Sequence, residues 1–232
     1  MRRYSVIVVA LTMVCAGTLT AQRRPRIIRP GDPTLWVSAS VAGFTGNGVN
    51  DGRTDSAWNF GNSTNWQYSA SIEKPISGGN SFGIVGSYSH IPVVYSNGTL
   101  PLPSGSTGAR CSPPCDAHLD MTTLMATFHT GSGYGFHQVL EFSGGIVAYQ
   151  NLKRDSDGAK LAPSGGNVDP IFSAGYGIGF GLNDRTAFEF VPEWTIAIHE
   201  RSGLGNGVSN TNRLSALRLS LRMGFGGHSY GR

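Results

Sequence analysis

The stretch "IFSAGYGIGFGL" (Ile171–Leu182) sets a glycine or serine at nearly every second position and a bulkier apolar residue between. Period two is the strand repeat, because successive side chains point to opposite faces of a sheet. One face carries Phe172, Ala174, Tyr176, Ile178, Phe180 and Leu182; the other carries Ser173, Gly175, Gly177, Gly179 and Gly181. A sheet wetted on one side puts polar side chains on that side. Here the second face is nearly bare.

The same alternation recurs along the chain. It places Leu35, Val37, Ala39 and Val41 against Trp36, Ser38 and Ser40, and Trp66, Tyr68, Ala70 and Ile72 against Gln67, Ser69, Ser71 and Glu73. Phe82, Ile84, Gly86 and Tyr88 oppose Gly83, Val85 and Ser87. Leu140, Phe142, Ile146 and Ala148 oppose Glu141, Ser143 and Gly145. Phe188, Phe190, Trp194, Ile196 and Ile198 oppose Glu189, Glu193 and Thr195, and Leu217, Leu219, Leu221, Met223 and Phe225 oppose Arg218, Ser220, Arg222 and Gly224. In "HLDMTTLMATFH", Leu119 and Met121 hold one phase and Leu124, Ala126 and Phe128 the other, which predicts a bulge near Thr122–Thr123.

That makes eight strands with no helical segment between them. Three connections are short (76–80, 130–134, 183–185) and four are long and polar (44–65, 95–117, 152–169, 200–212), in strict alternation. A sheet closed in a membrane sorts its connections this way, with tight turns at one end and long loops at the other. The pattern predicts an all-β fold: an eight-stranded antiparallel up-and-down transmembrane β-barrel over residues 34–226. Ten strands follow instead if the 95–117 segment forms a further hairpin.

The ends support export. "MRRYSVIVVALTMVCAGTLTAQ" runs from two arginines through an apolar stretch to small residues, the order of a secretory signal peptide, with cleavage expected after Ala21. Residues 22–33, with Arg23, Arg24, Arg26 and Arg29, read as a flexible basic periplasmic leader, and residues 227–232 as a C-terminal tail. Charged residues are only 14% of the chain, below the roughly 25% of soluble domains. The 18 Lys and Arg fall to 16 when Arg2 and Arg3 leave with the signal, against 14 acids, so nucleic acid is not an expected partner. Cys15 lies within the signal. Cys111 and Cys115, in "RCSPPCDA", lack zinc or CxxC redox spacing and read as a local disulfide in an oxidising compartment.

An eight-stranded barrel has a lumen that side chains fill. Inward glycines and serines leave room there for Glu73, Glu141, Glu189, Glu193, Arg218 and Arg222, which predicts guanidinium–carboxylate pairs rather than lone charges. Phe82, Phe136, Phe180, Phe188 and Phe225 fall toward the short-turn ends, and Trp66, Tyr68, Tyr88 and Phe172 toward the long-loop ends, as two aromatic girdles.

With signal peptide, eight alternating segments and loop asymmetry together, the chain resembles the small eight-stranded outer-membrane barrels, the OmpA/OmpX-like transmembrane domain. The resemblance implies a monomer in the outer membrane of a diderm bacterium, long loops outside and both termini periplasmic. Its implied partners are outer-membrane lipids, lipopolysaccharide and the barrel assembly machinery. The family usually ends on an aromatic residue; here Phe225 is followed by "GGHSYGR", in which Tyr230 is the other aromatic.

No catalytic site, metal site or cofactor is expected. "AIHERSGLGNG" (197–207) is similar to the His-x-Ser-Asn-Ala-Gly stretch of lipid A deacylases, but Arg201 stands at the serine position and the glutamate position falls near Arg213. "GYGIGFG" lacks the helix that a phosphate loop needs. The six histidines show no ligand spacing. The reading is therefore a barrel with a structural or loop-contact role. The competing readings are a barrel enzyme acting on lipid A or phospholipid, a small pore and a soluble sandwich.

Overall fold

The computed structural model describes residues 32–61, 63–76, 79–97, 109–111, 113–164 and 167–227. The expected signal peptide, most of the leader and most of the tail, including Tyr230, lie outside the described residues. The strands are β1 (Leu35–Gly46), β2 (Val49–Asp51), β3 (Ser56–Asn59), β4 (Asn65–Pro75), β5 (Asn80–Asn97), β6 (Cys115–Thr130), β7 (Gly135–Arg154), β8 (Asn167–Asn183), β9 (Thr186–Ile198) and β10 (Thr211–Phe225). Eight of them, all but β2 and β3, pair antiparallel with their chain neighbours, and β1 pairs with β10 from Leu35↔Phe225 to Gly46↔Leu214. The sheet thus closes on itself as an eight-stranded antiparallel up-and-down transmembrane barrel. Closure satisfies every strand's backbone groups within the sheet, the condition for spanning hydrocarbon.

The outer surface of the lower barrel is apolar. On β10, Leu217, Leu219, Leu221, Met223 and Phe225 all face outward, while Arg218, Ser220 and Arg222 face in. The nine residues 217–225 run about 27 Å along the strand, or about 20 Å along the axis at a tilt of about 40°, close to the usual apolar band of about 25 Å. Ile178, Phe180 and Leu182 on β8 and Phe188 and Phe190 on β9 extend the band around the barrel, all exposed at the surface.

Toward the long-loop end the pattern inverts without a break in the strands. On β5, Phe82, Ile84 and Tyr88 face out, but Ile91, Val93 and Tyr95 face in. On β10, Arg213 faces out and Leu214 in. The interior there is an apolar cluster that includes Phe44, Val49, Trp58, Phe60, Tyr95, Met121, Tyr149 and Leu161. The outward residues at this level are mixed, with His90 and Arg213 alongside the exposed Val94, Val168 and Ile198, while the interior is packed as the core of a sheet in water is.

This corrects the reading of β6. The register of β5 with β6 is unbroken from Asn80↔Thr130 to Tyr95↔Cys115, so no bulge lies at Thr122–Thr123. Ala117, Leu119, Met121, Thr123, Met125, Thr127 and His129 all point inward. The apolar phase changes because the surroundings change. The irregularity lies nearer the long-loop end, between His118 and Asp120, opposite a β7 segment in which Asn151 holds a φ of 54°.

The long connections are partly structured. An extra hairpin forms, but in the 44–65 connection rather than in 95–117, most of which lies outside the described residues; it is β2–β3, and β3 pairs with the end of β5 through Ser56↔Asn97 and Trp58↔Tyr95. β4 reaches only Tyr68↔Tyr88 on that side, so β3 covers an edge that would otherwise stand open. Cys111 and Cys115 are disulfide-bonded, and Cys111 is buried in the apolar cluster.

The two ends of the barrel give opposite mutational sensitivities. Ile178→Arg, in the apolar band, should lower stability by about 2–4 kcal/mol in equilibrium refolding into bilayers. Thr45→Arg, outward on β1 beside Ser215, should change it by less than about 0.5 kcal/mol.

Candidate functional site

The lower lumen is polar, and its glycines have a spatial purpose. A Cβ at Gly83 would run into Glu73, and one at Gly179 into the His137 ring. Hydroxyls link neighbouring strands around the wall: Ser38 with Ser71 at 2.7 Å, Ser40 with Ser69 at 2.6 Å, Ser87 with Thr123 at 2.6 Å, and Ser143 donating to Thr127 at 3.0 Å.

The six expected charges all point into this space, where β10 supplies both cations. Arg222 is 2% exposed. Its guanidinium lies 2.6 Å from Glu73 Oε2 on β4 and 3.8 Å from Glu189 Oε1 on β9, and its Cζ sits 4.6 Å from the Trp36 ring centroid. Glu73 also accepts from Ser71 at 2.7 Å and Ser81 at 2.5 Å. Arg218 is paired with Glu141 on β7, across the lumen, and its Nε lies 3.4 Å from Glu193 on β9. Glu193 further accepts from Ser173. A cavity of about 30 Å³ remains between these groups, lined in part by Ser69, Glu73, Glu141, Glu193 and Arg218. That is room for about two waters.

Two further lumen residues were not singled out in the sequence. His129 on β6 is fully buried, with Nε2 at 3.1 Å from Glu189 Oε1. His137 on β7 lies over Gly179, its Nδ1 at 3.1 Å from the Gly135 carbonyl oxygen. Both lie on the inward phase of their strands, so alternation alone would have placed them.

The nine girdle residues all face outward. Phe82, Phe136, Phe180, Phe188 and Phe225 lie near the short-turn end, and the Phe136 and Phe180 rings meet at 4.8 Å. Trp66 and Tyr68 begin β4 at the long-loop end. Tyr88 is level with Tyr68 on the adjacent strand, although β5 continues nine residues beyond it. Phe172 sits five residues inside β8. These residues track the edge of the apolar band rather than the strand ends. Trp194, outward beside Ser215, shares that upper level.

At the long-loop end His199 is buried, with Nδ1 at 2.8 Å from Asp169 Oδ2 and the Trp58 ring edge-on at 5.9 Å. Asn212 donates to the Tyr149 hydroxyl at 3.0 Å beside them. Burial disfavours the charged imidazole, but the hydrogen bond and charge of Asp169, aided by Asp51 and Glu200, raise its pKa above the ordinary value. Burial pushes the Tyr149 phenol up.

No family model matches the chain, and no curated protein matches it by sequence. By structure it is similar to Neisserial surface protein A, with 12% identity over 84% of this chain and 99% of that one and a TM-score of 0.48. It is similar to the outer membrane protein OprG of Pseudomonas aeruginosa, with 10% identity over 86% and 100% and a TM-score of 0.42. It is also similar to Ail, the attachment invasion locus protein of Yersinia pestis, with 10% identity over 84% and 99% and a TM-score of 0.36. The architecture, a closed antiparallel barrel of eight strands, rests on this chain's own strand pairing.

Removing one partner of a buried pair strands the other charge, at a cost of about 3–5 kcal/mol. Arg222→Leu should therefore lose about that much in urea unfolding in detergent, and Glu73→Gln added to it should recover part. A raised His199 pKa means that its contribution is full below about 6.5, the unfolded value, and is lost as pH rises through the folded pKa. Amide protection factors in residues 200–212, with the intrinsic pH dependence of exchange divided out, should fall across that rise, and His199→Asn should remove the fall.

Proposed function

We infer that this chain is an outer-membrane barrel of a diderm bacterium, with its long loops outside and both ends periplasmic, that works through surface contacts rather than catalysis or conduction. The observation that carries this reading is that the interior is filled at two levels. The lower lumen holds the ion-pair network, and the upper barrel holds the apolar cluster around Trp58, Tyr95 and Leu161. An interior filled in this way should conduct poorly. It does make a firm base for the exposed parts of the long loops, such as the paired Arg53 and Glu200 and the glycine-rich run 201–209. An apolar band below and a water-type core above fit a chain whose loop end stands clear of the bilayer. The expected signal peptide and the even strand count fit periplasmic termini.

A second reading, a lipid-modifying enzyme, is favoured by one observation: the His199–Asp169 pair has the form of a general base with its orienting carboxylate. Against it, His199 lies under Trp58, and neither of its described side-chain contacts is to a hydroxyl.

Membrane fractionation with a heat-modifiable gel shift tests the location: the protein should partition with the outer membrane and migrate faster unheated. Purified protein in planar bilayers should give no large, steady single-channel currents. Lipid A and phospholipid acylation should be the same with and without the gene. A chain-specific acyl loss establishes the enzyme instead.

A further inference from the structure

We propose that His90 and His118, on the outer face of the barrel at its long-loop end, form a two-imidazole site for one first-row divalent cation of the zinc type. β5 and β6 set them as diagonal neighbours: His90 is in register with Asp120, and His118 with Pro92. Aromatic side chains can meet along such a diagonal, and the two rings stand 5.0 Å apart. His90 lies two residues beyond Tyr88 toward the loops, past the edge of the apolar band. The two side chains are 58% and 30% exposed, so an ion can reach them from water.

The state of the ring nitrogens points to a ligand. His90 Nδ1 lies 2.8 Å from Asp120 Oδ1, and His118 Nδ1 lies 2.6 Å from Asp155 Oδ1. An ionised carboxylate only accepts, so each Nδ1 carries the proton, and in the neutral ring Nε2 is a bare lone pair. Neither Nε2 has a hydrogen-bond partner among the described residues. A carboxylate behind each imidazole is the usual outer shell of a metal-bound histidine. The spacing also fits. With a metal–nitrogen bond of about 2.0–2.1 Å and about 1.1 Å from nitrogen to ring centre, two imidazoles on one tetrahedral ion have centres about 5 Å apart.

The supporting shell is built by an irregularity in the strands. Asp120 also accepts from the Tyr88 hydroxyl at 2.9 Å and from Asn151 Nδ2 at 2.7 Å. Asn151 reaches it because the β6–β7 ladder shifts register between His118 and Asp120, which leaves Gln150 and Asn151 exposed in succession, Asn151 with its φ of 54°. That conformation is uncommon outside glycine, and such outliers gather at functional sites. The charge around the pair suits a cation. Asp116, Asp120 and Asp155 are set against Lys153, the register partner of His118, while Arg154 is engaged by Asp157. Nitrogen donors select zinc and its first-row neighbours over calcium and magnesium. Two protein ligands leave the ion's remaining positions open on the outer surface.

The full chain, prepared without a histidine tag and stripped with chelator, is refolded into detergent and titrated with Zn²⁺. One ion per chain is expected. Binding should be at least tenfold weaker in His90→Asn and in His118→Asn, each alone, and unchanged in His228→Asn, in the tail. The heat-modifiable gel shift confirms that each variant is folded, and both substitutions fall on the exposed surface. No stoichiometric ion, or full affinity kept in either His90→Asn or His118→Asn, overturns the site. The ring ¹⁵N resonances test the atoms: with Zn²⁺, those of Nε2 in both His90 and His118 should take the shift of a metal-bound nitrogen while Nδ1 stays protonated. An unshifted Nε2 in either ring overturns the arrangement.

Discussion

The structure rests on the absence of hydrogen-bonding solvent around its lower half. A strand in hydrocarbon has no water to satisfy its amides, so the sheet has no tolerable edge and must close. Pairing of β1 with β10 over twelve rungs meets that requirement. Closure with eight strands then fixes a narrow lumen. The narrow lumen explains why the inward faces are built from glycine and serine, and why the first stretch quoted above is nearly bare on one side. A larger residue at Gly83 or Gly179 would compete with the Glu73 or His137 side chain for the same volume.

A lumen that must be filled need not be filled with charge. Well-packed apolar groups often serve stability as well as buried ion pairs or better. What the ion pairs add is direction. Arg222 ties β10 to β4 and β9, and Arg218 ties it to β7 and β9. Both cations sit on the last strand, and the partners lie on strands laid down earlier in the chain. A shift of β10 by one residue would turn both guanidiniums into the lipid. The network therefore specifies how the barrel closes, whatever its net energy.

The strand positions, the sorting of short turns from long loops and the two faces of the lower barrel were legible in the sequence, because period two survives wherever one face meets lipid. The upper barrel was less legible for a definite reason. Alternation reveals that two faces differ, not which solvent each one meets. Leu119 and Met121 point inward and Leu124 and Phe128 outward on one unbroken strand, and a rule of constant environment turns that into a bulge. The β2–β3 hairpin was hidden differently. It is short, and it forms against the unpaired end of β5, which local sequence does not show. His129 and His137 lay on a readable phase, but their relation to Glu189 depends on register across β6 to β9, and spacing along one chain carries no trace of it.

The inversion along the strands also bears on how the two halves divide the work. In the lower half the outside is apolar and the inside polar, so the fold there depends on the bilayer. In the upper half Trp58, Phe60, Tyr95 and Leu161 are essentially fully buried under structured loops, which is the organisation of a water-soluble domain. The upper half therefore has its own hydrophobic driving force. Its loops are anchored to a core instead of hanging from strand ends. The Cys111–Cys115 bridge, whose loop is too small to remove much unfolded-state entropy, fits that division: it pins a loop segment to a core that already exists. A surface built this way loses little conformational entropy when something binds to it, and that property belongs to the upper, long-loop half alone.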